Sequence, residues 1–237
     1  QALMRSPKGE VGISQSPLIP IKFQQTKSID LPKCAGCQIA KQHRTSPGSQ
    51  SVHNKPDRLE AITKAAKAAG EKVSLDHYIS PKAGRLPHTF GRERESEQYH
   101  GGTIFVDHYS HYIRASHQVT LTAGETVMSK RAFEREAKDL GVVIKSYHAD
   151  NHPFEADLFL EDLEECHQTI TYSGVGAHHQ NGVAERAIQT VTNWARAMMM
   201  HQLLHWPDHF DEKLWPFALD QAVHIWNNLP RQDTGLT

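Results

Sequence analysis

Cysteine is scarce in this chain: three in 237 residues, Cys34, Cys37 and Cys166. So low and odd a count argues against a disulfide framework and for a reducing compartment. No run of 18 or more apolar residues occurs, which excludes a membrane-spanning helix. The opening QALMRSPKGE lacks the layout of a signal peptide. It also lacks an initiator Met, and the chain stops at RQDTGLT, so both ends read as cuts in a longer polyprotein. Net charge is nearly absent, at −1, a total that does not suggest a nucleic-acid-binding protein. The distribution says more. Residues 1–50 carry 7 basic and 2 acidic side chains, residues 51–150 carry 15 and 13, and residues 151–237 carry 4 and 12. A basic front and an acidic rear suit a chain that touches phosphates with part of its surface. The 17 histidines add a reserve of positive charge as pH falls toward about 6.

What is present is enough for one main domain with a small appendage, and the length allows a real core. Residues 1–33 read as a loop-rich lead to the cysteine pair, and residues 45–57, TSPGSQSVHNKPD, as a linker. Residues 58–69 are dominated by Ala and predict a linker helix that Gly70 stops. From residue 72 the alternation of Val73, Leu75, His77 and Ile79 predicts a strand. Residues 80–100 read as a long polar loop. GGTIFVDHY and HYIRASHQVT predict two strands of a hairpin turning near Tyr109–His111. Residues 123–140 predict a helix with Val127, Phe133, Ala137 and Leu140 on its inner stripe. A buried strand follows at 142–150, ending at Asp150. A helix at 154–167 is expected to turn Phe154, Leu158, Phe159 and Leu163 inward. TITYS gives a short strand, and SGVGAHHQ a flexible loop. Residues 182–200 give a strong helix with Asn181 as N-cap, and residues 211–228 a last helix. Three hairpin-linked strands followed by two strands reached through helices imply a mixed α/β sheet with helices on both faces.

Three acids stand out. Asp76 lies inside an apolar strand, where a carboxylate is costly unless it is paired or binds metal. Asp150 closes a strongly apolar strand, the usual place for site residues in an α/β sheet. Glu185 falls in the first turn of the long helix, behind a loop bearing Gly174, Gly176 and Gly182. Carboxylates gathered from distant points can hold the divalent ions that phosphoryl transfer on nucleic acid uses. Each also has an ordinary explanation: a turn residue for Asp150, helix-dipole compensation for Glu185, an ion pair for Asp76. Asp107 and Glu155 compete for the same role, and spacing alone does not single out the trio.

The block HHQNGVAERAIQTV resembles the integrase of copia-type long-terminal-repeat retrotransposons, where a Gln-Asn-Gly-Val-Ala-Glu-Arg sequence carries the last catalytic Glu. VSLDHY resembles the strand holding that family's first Asp, FVDHYSHYIRAS the two strands after it, and YHADN the second-Asp motif. KCAGCQIAKQHR resembles the end of its His-His-Cys-Cys zinc segment. Together these cover about residues 31–229. The resemblance implies an RNase H-like mixed five-stranded sheet and a DDE-type polynucleotidyl transferase. It assigns Asp76, Asp150 and Glu185 as catalytic ligands of Mg²⁺ or Mn²⁺, and implies joining of element DNA 3′-hydroxyl ends to target DNA. It also implies a homo-oligomer on double-stranded DNA, working from a virus-like particle in the cytoplasm and then in the nucleus. Arg186, Gln189 and Asn193 follow Glu185 along one helix and are candidate DNA contacts; solvated surface positions are the other reading. The chain divides on this view into a partial zinc-binding segment (1–50), a linker (51–71) and a catalytic core (72–237).

Two departures stand out. The family follows its second Asp with Asn, Gly, any residue, Glu and Phe; this chain has Asn151, His152, Pro153, Phe154 and Glu155. The zinc segment is also incomplete. A structural Zn²⁺ site takes about four ligands, and no His precedes Cys34. The missing histidines are expected upstream of Gln1, with His43 or His53 as local substitutes. Cys166 reads as a core residue, and Trp194, Trp206, Trp215 and Trp226 more as core than as interface. Two other functions fit the same residues: a nuclease or transposase on the same fold, and a catalytically decayed or domesticated nucleic-acid-binding fragment.

Overall fold

The alternating segments pair as one mixed sheet. The computed structural model describes residues 34–40, 66–87, 97–150, 154–173 and 181–229. Strand β1 (Val73–Gly84) pairs antiparallel with β2 (Tyr99–Asp107), and β2 pairs antiparallel with β3 (Ile113–Gln118). Helix α2 (Ala123–Asp139) leads to β4 (Ser146–Ala149), and α3 (Asp157–Glu165) leads to β5 (Thr169–Tyr172). Strand β4 lies parallel to β1, and β5 lies parallel to β4, giving the order β3-β2-β1-β4-β5. The long helix α4 (Gly182–His205) and the last helix α5 (Trp215–Asn228) complete the core, and a short helix α1 (Ala35–Ala40) packs against α4.

Alternation along the strands divides the interior in two. Val73, Leu75, Phe105, Tyr147 and Ala149 meet Val127 and Phe133 of α2 and Phe159 and Leu163 of α3. On the other face, Ile104, Val106, Ile113 and Ala115 meet Ala184, Ala187, Val191 and Ala195 of α4 and Leu219 and Val223 of α5. The small residues of α4 let its backbone lie close to the sheet. A buried ion pair ties α2 to α3: Lys130, fully buried, reaches Asp162 at 2.6 Å and Glu134 at 3.0 Å. Asn227 of α5 uses its carboxamide to pair with both the N–H and C=O of Ile113, so a side chain occupies backbone groups of edge strand β3.

The expected order of elements is the observed one, and the hairpin turns between Asp107 and Ile113 as expected. Several boundaries and faces differ. Strand β1 runs through Gly84, into the expected loop, because residues near α5 hold it. The Arg85 N–H donates to Lys213 O at 2.8 Å, and Trp215 Nε1 donates to Lys82 O at 2.9 Å. Strand β4 begins only at Ser146, because Val142 N–H is committed to Ala137 O and Lys145 N–H to Gly70 O. Most of the expected linker helix lies outside the described residues, and its last positions, 66–69, are not helical. Gly70 does end that segment, at φ +80°, a backbone that favours glycine. Leu140, Leu158 and Phe217 are exposed, so the apolar stripes are narrower than their sequences suggested. Cys166 is not core: it is exposed just past the end of α3. Trp194, Trp215 and Trp226 pack on the α4–α5 core, whereas Trp206 is 61% exposed.

Candidate functional site

The register of β1 and β4 carries the first result. Val73, Ser74 and Leu75 pair in parallel with Tyr147, His148 and Ala149. The next residue on each strand is Asp76 and Asp150. Neighbouring strands lie about 4.8 Å apart, so the two acids leave the sheet side by side. Asp76 pairs across β2 with Ile104, which belongs to the α4 core, so it points toward α4. Ala149 belongs to the opposite core, and alternation turns Asp150 toward α4 as well.

Glu185 arrives from the helix. Asn181 precedes α4 at the N-cap position, but its side chain makes no cap hydrogen bond. It is fully buried, and its Nδ2 donates to Leu75 O at 3.2 Å, the carbonyl immediately before Asp76. That tether pins the start of α4 to β1, and Glu185 follows one turn later. Asp76 and Glu185 line one cavity of about 610 Å³. Electrostatics ties Asp150 to them: burial pushes the Asp76 carboxyl up to about 6, opposed by the His77 backbone N–H and reinforced by the negative charges of Asp150 and Glu185. The structure therefore brings the three expected acids onto one face of the sheet. Oxygen-only donors carrying crowded negative charge suit a hard divalent cation such as Mg²⁺ or Mn²⁺.

The competing acids fall elsewhere. Asp107 is 4% exposed and accepts from Gly70 N–H, Tyr109 N–H, and both the N–H and hydroxyl of Ser110. One oxygen closes the hairpin turn, and the other holds the Gly70 turn ahead of β1. Glu155 is exposed, next to the fully buried Phe154. His77, adjacent to Asp76, points to the opposite face. There it packs on Phe154 in a tilted arrangement with ring centroids 4.6 Å apart, and burial pushes it down to about 4, so it is neutral near pH 7. Thr126 gives its hydroxyl proton to Thr122 O and so accepts from His77 Nε2 at 3.1 Å.

The same cavity is walled by Arg186, Ile188, Gln189, Thr192, Asn193 and Arg196. All three helix residues expected to face nucleic acid are among them. Thr192 and Arg196 were not anticipated, although Arg196 lies three helical turns beyond Glu185 and helical spacing alone brings it to the same side. The second omission is larger. Cys34, Cys37 and His201 offer ligand atoms that all lie within 4.8 Å of one another, a group able to hold a metal ion. His201 and His205 form a helical His-x₃-His pair, a metal half-site spacing that pointed there. His43 and His53, the local substitutes, lie outside the described residues.

Among solved structures, the integrase catalytic core domain of HTLV-2, in complex with magnesium in a trimeric form, is similar at 19% identity. The match spans 73% of this chain and 95% of that one, with a TM-score of 0.50. A chain of the simian T-cell lymphotropic virus intasome, in complex with PP2A regulatory subunit B56 gamma, is similar at 16% identity. That match covers 70% of this chain and 51% of the other, again with a TM-score of 0.50. No protein-family model and no curated protein matches the sequence. Together with the strand order, these likenesses show the fold: an RNase H-like mixed five-stranded sheet of the retroviral integrase core type.

Proposed function

We propose that this chain is the catalytic core of a copia-type retrotransposon integrase, a DDE-type enzyme that joins the 3′-hydroxyl ends of element DNA to target DNA. The observation that carries the reading is the β1–β4 register, which sets Asp76 beside Asp150 under a helix whose first turn bears Glu185. These three acids are the metal ligands in this reading. Bound divalent cations would supply charge stabilisation to the attacking and leaving oxygens of an in-line displacement. The protein's own part is to position. Asn181 fixes Glu185 relative to Asp76, and Leu75 and Ala149 seat the strand ends beneath the site. Arg186, Gln189 and Asn193, with Arg196, line the groove where the DNA backbone would lie.

The magnesium-bound HTLV-2 core and the simian intasome support the cation and the DNA-bound homo-oligomer in this reading. So do the Glu185 block and its neighbours in the sequence. We assign residues 72–237 to the core, 51–71 to a linker and 1–50 to a partial zinc-binding segment. The working places are a cytoplasmic virus-like particle and then the nucleus. The test is an oligonucleotide strand-transfer assay in Mg²⁺ or Mn²⁺ with Asp150→Asn, whose folding is checked by circular dichroism. Joined products fall by at least about a thousandfold, the scale expected when a group acting in the transition state is lost. Joining at wild-type rate by Asp150→Asn overturns the assignment. Free cut ends in place of joined ends would identify a nuclease on the same fold.

A further inference from the structure

Helix α1 is short, yet it lies tightly against α4 at Gly36. Gly36 is buried between the two cysteines. A Cβ there would stand 3.2 Å from His201 Cδ2 and 3.6 Å from Ala197 O. Glycine at that position lets the imidazole approach the cysteine pair without displacement. Cys34 Sγ and His201 Nε2 are 2.8 Å apart, and Cys37 N–H donates to Cys34 Sγ at 3.2 Å. The ring of His205, one turn on, stacks nearly parallel on His201, with centroids 5.8 Å apart and planes at 12°. Two thiols and one imidazole thus converge, with a second imidazole lying beside the first.

We propose that Cys34, Cys37 and His201 form a binding site for a thiophilic divalent cation, Zn²⁺ by the chemistry of its donors, which staples the cysteine segment to the core helix. Two sulfurs and one imidazole nitrogen match Zn²⁺ and not Mg²⁺. In a tetrahedral Zn²⁺ site a sulfur and a nitrogen ligand stand about 3.6 Å apart. The present 2.8 Å thiol–imidazole contact needs to open by less than about 1 Å to admit the ion. The histidine comes from the catalytic domain, 164 residues after Cys37, rather than from a sequence preceding the cysteines. The fourth position is open to water or to another side chain. His201 lies 16 residues after Glu185, about 160° around the helix. The staple therefore faces away from the acidic groove, and its occupancy and the catalytic reading can fail separately.

The experiment uses the full 237-residue chain, stripped with a chelator and titrated with Co²⁺ and then Zn²⁺. The expected result is one thiolate-to-cobalt charge-transfer band, saturating at one ion per chain and abolished by Zn²⁺. His201→Asn weakens Co²⁺ binding at this band on the order of a hundredfold, while Cys166→Ser and Glu185→Gln leave it unchanged. A wild-type chain without the band overturns the site. So does a His201→Asn chain with undiminished affinity, which would place the nitrogen ligand elsewhere. If His201→Asn fails to fold, the wild-type chain still decides. Zn²⁺ must then shield Cys34 and Cys37 from alkylation and His201 from carbethoxylation, leaving Cys166 reactive. A His201 that stays reactive while the cysteines are shielded refutes the proposal.

Discussion

Asp76 shows at a single residue what the site costs the fold. Its carboxyl is pushed up to about 6 from an ordinary 3.8, first by burial and then by two neighbouring carboxylates. A raised acid binds its proton more tightly folded than unfolded. Its stabilising contribution is therefore complete below about pH 3.8 and lost as pH rises through about 6. Near neutral pH and without a divalent cation, the ionised Asp76 works against the native state. Asp76→Asn removes that charge at nearly constant shape. Discounted for the solvent that still reaches the group, the expected gain is about 1–2 kcal/mol near pH 8, or a melting point higher by about 3–6 °C. Thermal melts in chelator from about pH 4 to 8 measure it, and the two proteins should converge toward the acid end. Added Mg²⁺ should raise the wild-type melting point and leave that of the variant nearly unmoved. A variant melting no higher than wild type in chelator near pH 8 would show that Asp76 is not crowded.

At the scale of an element, α4 does three things with three of its sides. Ala184, Ala187, Val191 and Ala195 bury one stripe, Glu185 and its companions line the groove, and His201 meets the cysteines. The first of these was legible, because small apolar residues recur at helical spacing. Glu185 and the three groove residues were legible only through the resemblance of their block, since an exposed Glu in a first turn has an ordinary use at every helix. The tether was not legible. Asn181 occupies an N-cap position by sequence, yet its carboxamide spends its donor on a strand carbonyl 106 residues away. His201 was hidden for the same reason, its partners being 164 residues or more upstream. Asn181→Ala tests the tether. It should cost about 1–3 kcal/mol by leaving a buried group without its donor. It should also lower strand-transfer turnover at least about tenfold through misplacement of Glu185, with DNA affinity changed by less than about threefold. Denaturant titration, single-turnover kinetics and a binding isotherm separate these effects. Equal loss in affinity and turnover would mean that Asn181 shapes the groove as a whole rather than the position of Glu185.

Over the whole molecule, the order of elements was readable because each element buries its own stripe. The limits of those stripes were not: Leu140, Leu158 and Phe217 continue an apolar pattern into solvent, and only the packing partner decides where burial stops. The same sheet also resolves the charge puzzle. Much of the acidic rear sits on α3, where Asp157, Glu161, Glu164 and Glu165 are exposed on the side of the sheet away from α4. Helix α4 carries Arg186 and Arg196 against one acid, Glu185. A chain of net charge −1 can therefore keep the acids of α3 away from the wall where Arg186 and Arg196 stand beside the site carboxylates. Few cations reach that wall among the described residues, so in the proposed reading few counterions would be released on DNA binding. The logarithm of affinity should fall with the logarithm of salt at a slope of only about −2 to −4. Arg196→Ala should make the slope shallower by about 1 and weaken binding to unrelated duplexes equally, because a phosphate contact carries no sequence information. Glu164→Gln with Glu165→Gln on the far face should leave the slope as it is. Fluorescence anisotropy at several salt concentrations reads all three proteins. If the Arg196→Ala slope matches wild type while the α3 variant shifts it, DNA lies on the other face of the sheet and the groove along α4 is not its path.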